Sequence, residues 1–272
     1  MHSSPNEKEE DYSFFEGASD YAEKASKAEN DKIPSKYNSG CDLFLNDVEP
    51  SKVELVDYCK KFKYFFHLIS PNTKLTNPVH DENAYRYLNY WINYLLNKNS
   101  SKSSISVQNF YKNLKVYDKN FDNENILKDK IYDINNDALQ YMNILNNLYT
   151  YYEKIYSKIT DSSVTDHQSS CSDDNQNCIN KYEEVILNCP DNGINTTFCA
   201  ALSNFKENYE KLQNHNNERN ECYKVLLKKL PTYSEVINKY TTTQKWNGEN
   251  SGIITMFPTF WGIIIIIFLT YK

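Results

Sequence analysis

Leu127, Ile131, Ile134, Ala138, Tyr141, Leu145, Leu148, Tyr152, Ile155 and Ile159 recur at alternating spacings of 4 and 3 without a break. Such a stripe repeats every 3.5 residues and lies along one face of an α-helix, whereas a strand would need alternation every second residue. The spacing predicts one helix of 33 residues over 127–159. Shorter stripes precede and follow it. Leu55, Cys59, Phe62, Phe66 and Ile69 follow the capping-box spacing Ser51-Lys52-Val53-Glu54 and stop at Pro71. Ala84, Leu88, Trp91 and Leu95 follow Asp81, a good N-cap, and end near Asn97. Val107–Tyr117 reads as a third helix, a short one is expected over Ile179–Leu187, and Phe198, Leu202, Phe205, Tyr209 and Leu212 stripe a long one from Thr197. Cys222, Leu226 and Leu230 resume that stripe after an interruption at Asn214–Asn217. Several stripes need apolar partners and the flanking positions are mostly Asn and Tyr. One intramolecular bundle in a monomeric ectodomain is therefore expected ahead of a coiled-coil dimer.

Composition narrows function by exclusion. Six glycines in 272 residues, none clustered, leave neither a dinucleotide-binding turn nor a phosphate loop. A formal charge of −6 lacks the clustered cations that phosphate binding needs, so nucleic acid is not an expected partner. The five histidines lie far apart, no His-Glu-x-x-His occurs, and no Gly-x-Ser-x-Gly elbow is present. Cys59 and His67 could be set as nucleophile and base, but Cys59 sits in an apolar stripe, where a core thiol or a disulfide half is expected. Catalytic, metal and cofactor-binding residues are all assigned as none, and no enzyme is expected. Lys60-Lys61-Phe62-Lys63 and Lys228-Lys229 read as solvated faces. The 23 tyrosines and frequent Asn are attributed to A/T-rich codons, since no long Asn run occurs.

Seven cysteines, Cys41, Cys59, Cys171, Cys178, Cys189, Cys199 and Cys222, point to an oxidising compartment. The last five are separated by 6, 10, 9 and 22 residues, without Cys-x-x-Cys knuckles, so disulfides are favoured over a metal. All seven are disulfide candidates, and leaving one thiol unpaired permits 7 × 15 = 105 pairings; the free one stays open, and if it is Cys59, buried in its stripe, the other six can all pair. Asn99-Ser100-Ser101 and Asn195-Thr196-Thr197 fit the glycosylation sequon, a frequent triplet in an Asn-rich chain.

The ends differ from the centre. Residues 1–39 are polar, with no apolar core of a signal peptide, and are expected to be disordered. Ile253–Leu269 carries no charge and includes Ile263–Ile267; Ile253, Phe257, Trp261, Ile265 and Leu269 follow one another along it. Five successive isoleucines leave no polar face, so this is read as a transmembrane helix and not a core helix. Its seventeen residues cover about 25 Å against a hydrocarbon core of roughly 30 Å, so residues up to 270 are needed or the bilayer thins. The expected order is a disordered segment over 1–39, an ectodomain over 40–240 with a mobile loop near 160–177, a polar stalk over 241–252, an anchor over 253–270 and a tail of 271–272. The fold class is all-α: a disulfide-bonded helical bundle with one C-terminal transmembrane helix. The missing polar spacer before the apolar run disfavours a lipid-anchor signal.

The block Tyr85-Arg86-Tyr87-Leu88-Asn89-Tyr90-Trp91-Ile92, the helix opening Ile131-Tyr132-Asp133-Ile134, the Cys-rich second half, and Phe257-Pro258-Thr259-Phe260-Trp261-Gly262 with its isoleucine run and Thr270-Tyr271-Lys272 resemble the Plasmodium interspersed repeat superfamily, its vivax-type (VIR) members above all. The likeness runs from about Cys41 to Lys272. It implies a variant surface antigen of a blood-stage malaria parasite, at the infected red-cell surface or membranes or the parasite plasma membrane. Adhesion to host receptors, antigenic variation and immune evasion are implied in place of catalysis, with host cell-surface receptors, antibodies and the lipid bilayer as partners. The parasite export motif would need an acidic residue or Gln after Arg86-Tyr87-Leu88-Asn89, where Tyr90 stands. Relatives continue into a basic tail, so an end at Lys272 is read as a truncation. The absent signal peptide and short tail also fit an alternative, a tail-anchored scaffold with a cytosolic helical domain.

Overall fold

A computed structural model of the chain describes residues 10–45, 53–70, 81–98, 105–160, 168–190, 196–214 and 227–250. Among these all the regular secondary structure is helical. The α-helices are α1 (Ser19–Asn30), α2 (Val53–Ile69), α3 (Glu82–Lys98), α4 (Val107–Tyr117), α5 (Asn136–Thr160), α6 (Gln168–Ile186), α7 (Thr197–Asn214) and α8 (Tyr233–Asn250), with 3-10 turns at Ser13–Phe15, Ser35–Tyr37 and Cys41–Leu45. The two sequons at Asn99 and Asn195, the anchor positions Ile253, Phe257, Trp261, Ile265 and Leu269, and Cys222 lie outside the described residues, as does the side chain of Cys171. No helix among the described residues is long and apolar enough to cross a membrane.

Local chemistry sets the helix starts. Asp81 Oδ1 accepts from the amides of Asn83 and Ala84, the cap its position predicts. Ser106 Oγ accepts from Asn109 N, while Asp133, from the next segment, takes the amides of Val107 and Gln108. Asn135 Oδ1 accepts from Ala138 N at the head of α5, and Thr232 and Glu235 form a reciprocal capping box at α8. Helix α5 is the central element, packing most extensively on α6 and also touching α7, α3 and α1; α2 lies against α1, α3 and the Cys41–Leu45 turn.

The core is aromatic to an unusual degree, with Phe14, Phe15, Phe44, Phe62, Phe65, Tyr85, Phe110, Tyr182, Phe205 and Tyr209 all under 3 % exposed. The rings meet mostly edge to face, the arrangement their quadrupoles favour: Phe62 on Phe110 at 5.7 Å, Phe65 on Trp91 at 5.1 Å, Tyr149 on Phe205 at 5.1 Å. The Tyr85–Ile92 block is the most buried stretch of helix, with only Arg86 exposed.

Three expectations are corrected, and two points the sequence leaves open are filled in. The polar N-terminus is packed from Tyr12 onward: Tyr12, Phe14, Phe15, Ala18, Ala25, Ala28 and Tyr37 are buried, because a few well-spaced apolar residues suffice when a finished bundle is there to receive them. The 33-residue helix is 25 residues, beginning at Asn136. Leu127, Ile131 and Ile134 are buried as the stripe requires, but they belong to an irregular segment with left-handed backbone at Asp122, Asn125 and Asp129. The loop near 160–177 is helical from Gln168, so α6 is far longer than the Ile179–Leu187 stretch expected. Residues 241–250 of the expected polar stalk are helical and continue α8, where the Thr241 and Thr242 hydroxyls donate to helix carbonyls of Ile237 and Asn238. Cys59, a disulfide candidate whose pairing the sequence leaves open, is bonded to Cys41.

Candidate functional site

Among the described residues the cysteines and their polar neighbours fall into three places. The first is the disulfide between Cys41, on its 3-10 turn, and Cys59, on α2, both fully buried. It staples the segment before α2 onto the helix. His67, two turns further along α2, is exposed and lies 5.5 Å from the Tyr37 ring, ring centre to ring centre. Partial burial and the neighbouring Lys36 ammonium push its pKa below the ordinary imidazole value. With Cys59 consumed in a disulfide, the Cys59–His67 pair has no nucleophile.

Beside this staple, Lys63 is 6 % exposed at its side chain, which corrects its assignment to a solvated face. Its ammonium donates to Asp118 Oδ2 at 2.5 Å and to the Ser39 carbonyl at 2.8 Å. Burial raises the Asp118 pKa, but Lys63 and the backbone amide of Asn120 outweigh it and hold the carboxyl below the usual carboxylate value. Lys61 is half-buried and pairs with Asp57 one turn away.

The second place is the second disulfide, Cys189–Cys199, which joins the turn after α6 to the first turn of α7. The third is the interior between α6, α7 and the segment after 227. Asn175 donates to the Tyr209 hydroxyl, Tyr209 donates to the Lys228 carbonyl at 3.1 Å, and Lys228 N donates back to Asn175 Oδ1. Cys178, one turn from Asn175, is the described free cysteine and is fully buried. Burial, with Asp174 adding to it, pushes its thiol up to about 12, so almost none is thiolate at neutral pH and it has no nucleophilic character. Among the described residues no cluster of three His, Cys, Asp or Glu side chains could hold a metal ion.

The polar residues that matter most were invisible to motif reasoning. Asn89 and Asn93, one helical turn apart, are both 1 % exposed in the middle of α3. Asn89 Oδ1 accepts from Tyr132 N, Asn93 Oδ1 accepts from Ile134 N, and Asn93 Nδ2 donates to the Tyr132 carbonyl. Two side chains thereby serve the backbone of 132–134 as a neighbouring strand would. Their only signal is position: polar residues spaced by four on a face otherwise made of Tyr85, Leu88 and Ile92. Asp122 plays a similar part, its carboxylate accepting from Ile126 N, Leu127 N and the Tyr111 hydroxyl.

These features define, among the described residues, an all-helical, disulfide-bonded protein in which several buried polar groups are spent on the backbone and others pair with one another. No protein-family model, curated protein or solved structure matches the chain.

Proposed function

We propose that this chain is a membrane-anchored, surface-displayed binding protein resembling the variant antigens of the Plasmodium interspersed repeat superfamily. It acts by adhesion to host receptors and by immune evasion, not by turnover. The single observation that carries the reading is the pair of disulfides, Cys41–Cys59 and Cys189–Cys199, in separate parts of the bundle. Such bonds persist in secretory and surface compartments and are reduced in the cytosol, so they favour an ectodomain over the cytosolic-scaffold alternative. The fold suits antigenic variation. Glu23, Asp137, Thr150 and Lys154 are exposed while the stripes beneath them are sealed, so surface residues can change at little cost to stability. The segment 253–270 supplies the bilayer anchor in this reading.

Alkylation of intact infected cells, before and after denaturation, followed by peptide mass spectrometry tests it. The expected result is Cys41–Cys59 and Cys189–Cys199 recovered as linked peptides, with Cys178 labelled only after denaturation. Recovery of those four cysteines as free thiols would refute surface display and return the cytosolic reading.

A further inference from the structure

The segment Glu10–Gly17 crosses the bundle outside α3, α5 and α7 and is held there by side chains. Its backbone bonds are local: Phe15 N donates to Tyr12 O and Glu16 N to Ser13 O, while Ala18 N, just beyond Gly17, donates back to Phe15 O. Phe14 and Phe15 are buried, with Phe15 packing edge-on against Tyr90 at 5.2 Å and Tyr87 at 6.2 Å, and Tyr12 meeting Phe198 of α7 at 5.9 Å. Three acidic residues flank this plug and each has a matching partner on the bundle: Asp11 with Arg86, Glu10 with the Tyr132 hydroxyl at 3.2 Å, Glu16 with Asn208 Nδ2 at 3.1 Å. Beyond it the chain turns at Gly17, whose φ of 82° belongs to the left-handed region and whose Cβ position faces open space. Helix α1 then docks on α2.

We propose that this segment is an exchangeable strap: hinged at Gly17, it leaves its own groove and is replaced by the same segment of a second copy of this chain. The groove is shaped to two adjacent phenylalanines and its rim matches three acidic side chains, so an identical strap is the occupant that restores the ring packing and all three polar pairs. The hinge has both the backbone freedom and the surrounding space to redirect the chain, and redirecting it breaks the Ala18 N to Phe15 O bond that spans Gly17. Exchange of an identical element is a low-cost route to a dimer, because the ring packing and polar pairs broken within one chain re-form between two. The tethered strap competes at an effective concentration on the order of millimolar, so exchange is a property of densely packed copies. The inference is independent of where the protein resides.

Full-length chains with two different tags test it. One carries Asp11→Cys and the other Arg86→Cys; a second set carries Glu16→Cys and Asn208→Cys. All four positions lie at least partly in solvent, so the fold tolerates the changes, and chains carrying both substitutions of a pair report the closed strap. The mixed chains are treated with a short bis-maleimide and resolved by denaturing electrophoresis. Exchange is expected to give crosslinks between the two tags with both pairs, the fraction falling about tenfold on tenfold dilution and collapsing with Phe15→Ala. Crosslinks confined to doubly substituted chains would overturn the proposal, as would crosslinks between tags with one pair alone or undiminished by Phe15→Ala.

Discussion

Replacing Asn93 by Leu removes the side chain that holds the segment before α5 and leaves the shape of the site nearly unchanged. Two backbone groups lose their partner: Ile134 N–H, which donates to Asn93 Oδ1 at 3.0 Å, and the Tyr132 carbonyl, which accepts from Nδ2 at 2.9 Å. Asn89 O, which also accepts from Nδ2, belongs to the helix and loses little. An orphaned buried backbone group costs about 1–3 kcal/mol, so two give roughly 2–6 kcal/mol. The burial of leucine in place of the amide returns about 1 kcal/mol of that, leaving a loss of about 3 kcal/mol. Urea unfolding of the full-length protein with its disulfides intact, followed by far-ultraviolet circular dichroism, measures it. The control is another asparagine, Asn147, which is exposed on α5; Asn147→Ala is expected to shift stability by less than about 0.5 kcal/mol. Asn89→Leu and Asn93→Leu combined should cost less than the sum of the two, because both act on one segment. If Asn93→Leu costs no more than Asn147→Ala, the Asn89–Asn93 pair does not hold the 132–134 segment and does not set where α5 begins.

Three further outcomes follow from the packing. Loss of the Cys41–Cys59 bond, which closes a loop of 18 residues, by changing both to serine should lower stability by about 3 kcal/mol on the chain-entropy account, read from the urea midpoint; loss of Cys189–Cys199, over 10 residues, should cost slightly less. Lys63→Met strands the Asp118 carboxylate and should cost about 3–5 kcal/mol, most of it recovered in Lys63→Met/Asp118→Asn, since a pair replaced together leaves no buried charge unpaired. Because the folded pKa of Asp118 lies below its ordinary value of 3.8, the stabilisation is fully present above that value and lost as pH falls through the lower folded pKa. A wild-type acid titration should lose this contribution only below pH 3.8, and the double variant should lack it. Gly40→Ala combines a φ of 71° with a Cβ placed 2.9 Å from the Tyr117 backbone carbon and oxygen. Neither can yield cheaply, so the expected loss exceeds the roughly 1 kcal/mol of left-handed strain alone, and a thermal midpoint within error of wild type would refute the close approach.

How much was legible divides by the range of the interaction concerned. Helices α2, α3, α4 and α7 were readable within a few residues because apolar spacing and caps such as Asp81 are properties of neighbouring residues. The same spacing misled upstream of Asn136. Leu127, Ile131 and Ile134 keep the helical stripe and are buried as it demands, yet the chain there is no helix, because Asp122 captures the amides of Ile126 and Leu127 and the Asn89–Asn93 pair captures those of Tyr132 and Ile134. A nearby carboxylate, Asp122, and two asparagines remote in sequence outcompete the intrahelical bonds, and an Asn-rich composition gives no hint which two asparagines do so.

Apolar periodicity and cysteine count alone determined that the chain is helical and forms disulfides. Only tertiary structure decided that Cys41 meets Cys59 and leaves Cys178 as a buried free thiol, that Lys63 is interior, and that Phe14 and Phe15 of a polar leader close the bundle. Each depends on which surfaces meet after the helices have formed. The free energy of such a meeting resides in burial and in paired polar groups contributed by distant parts of the chain, and no local spacing encodes it.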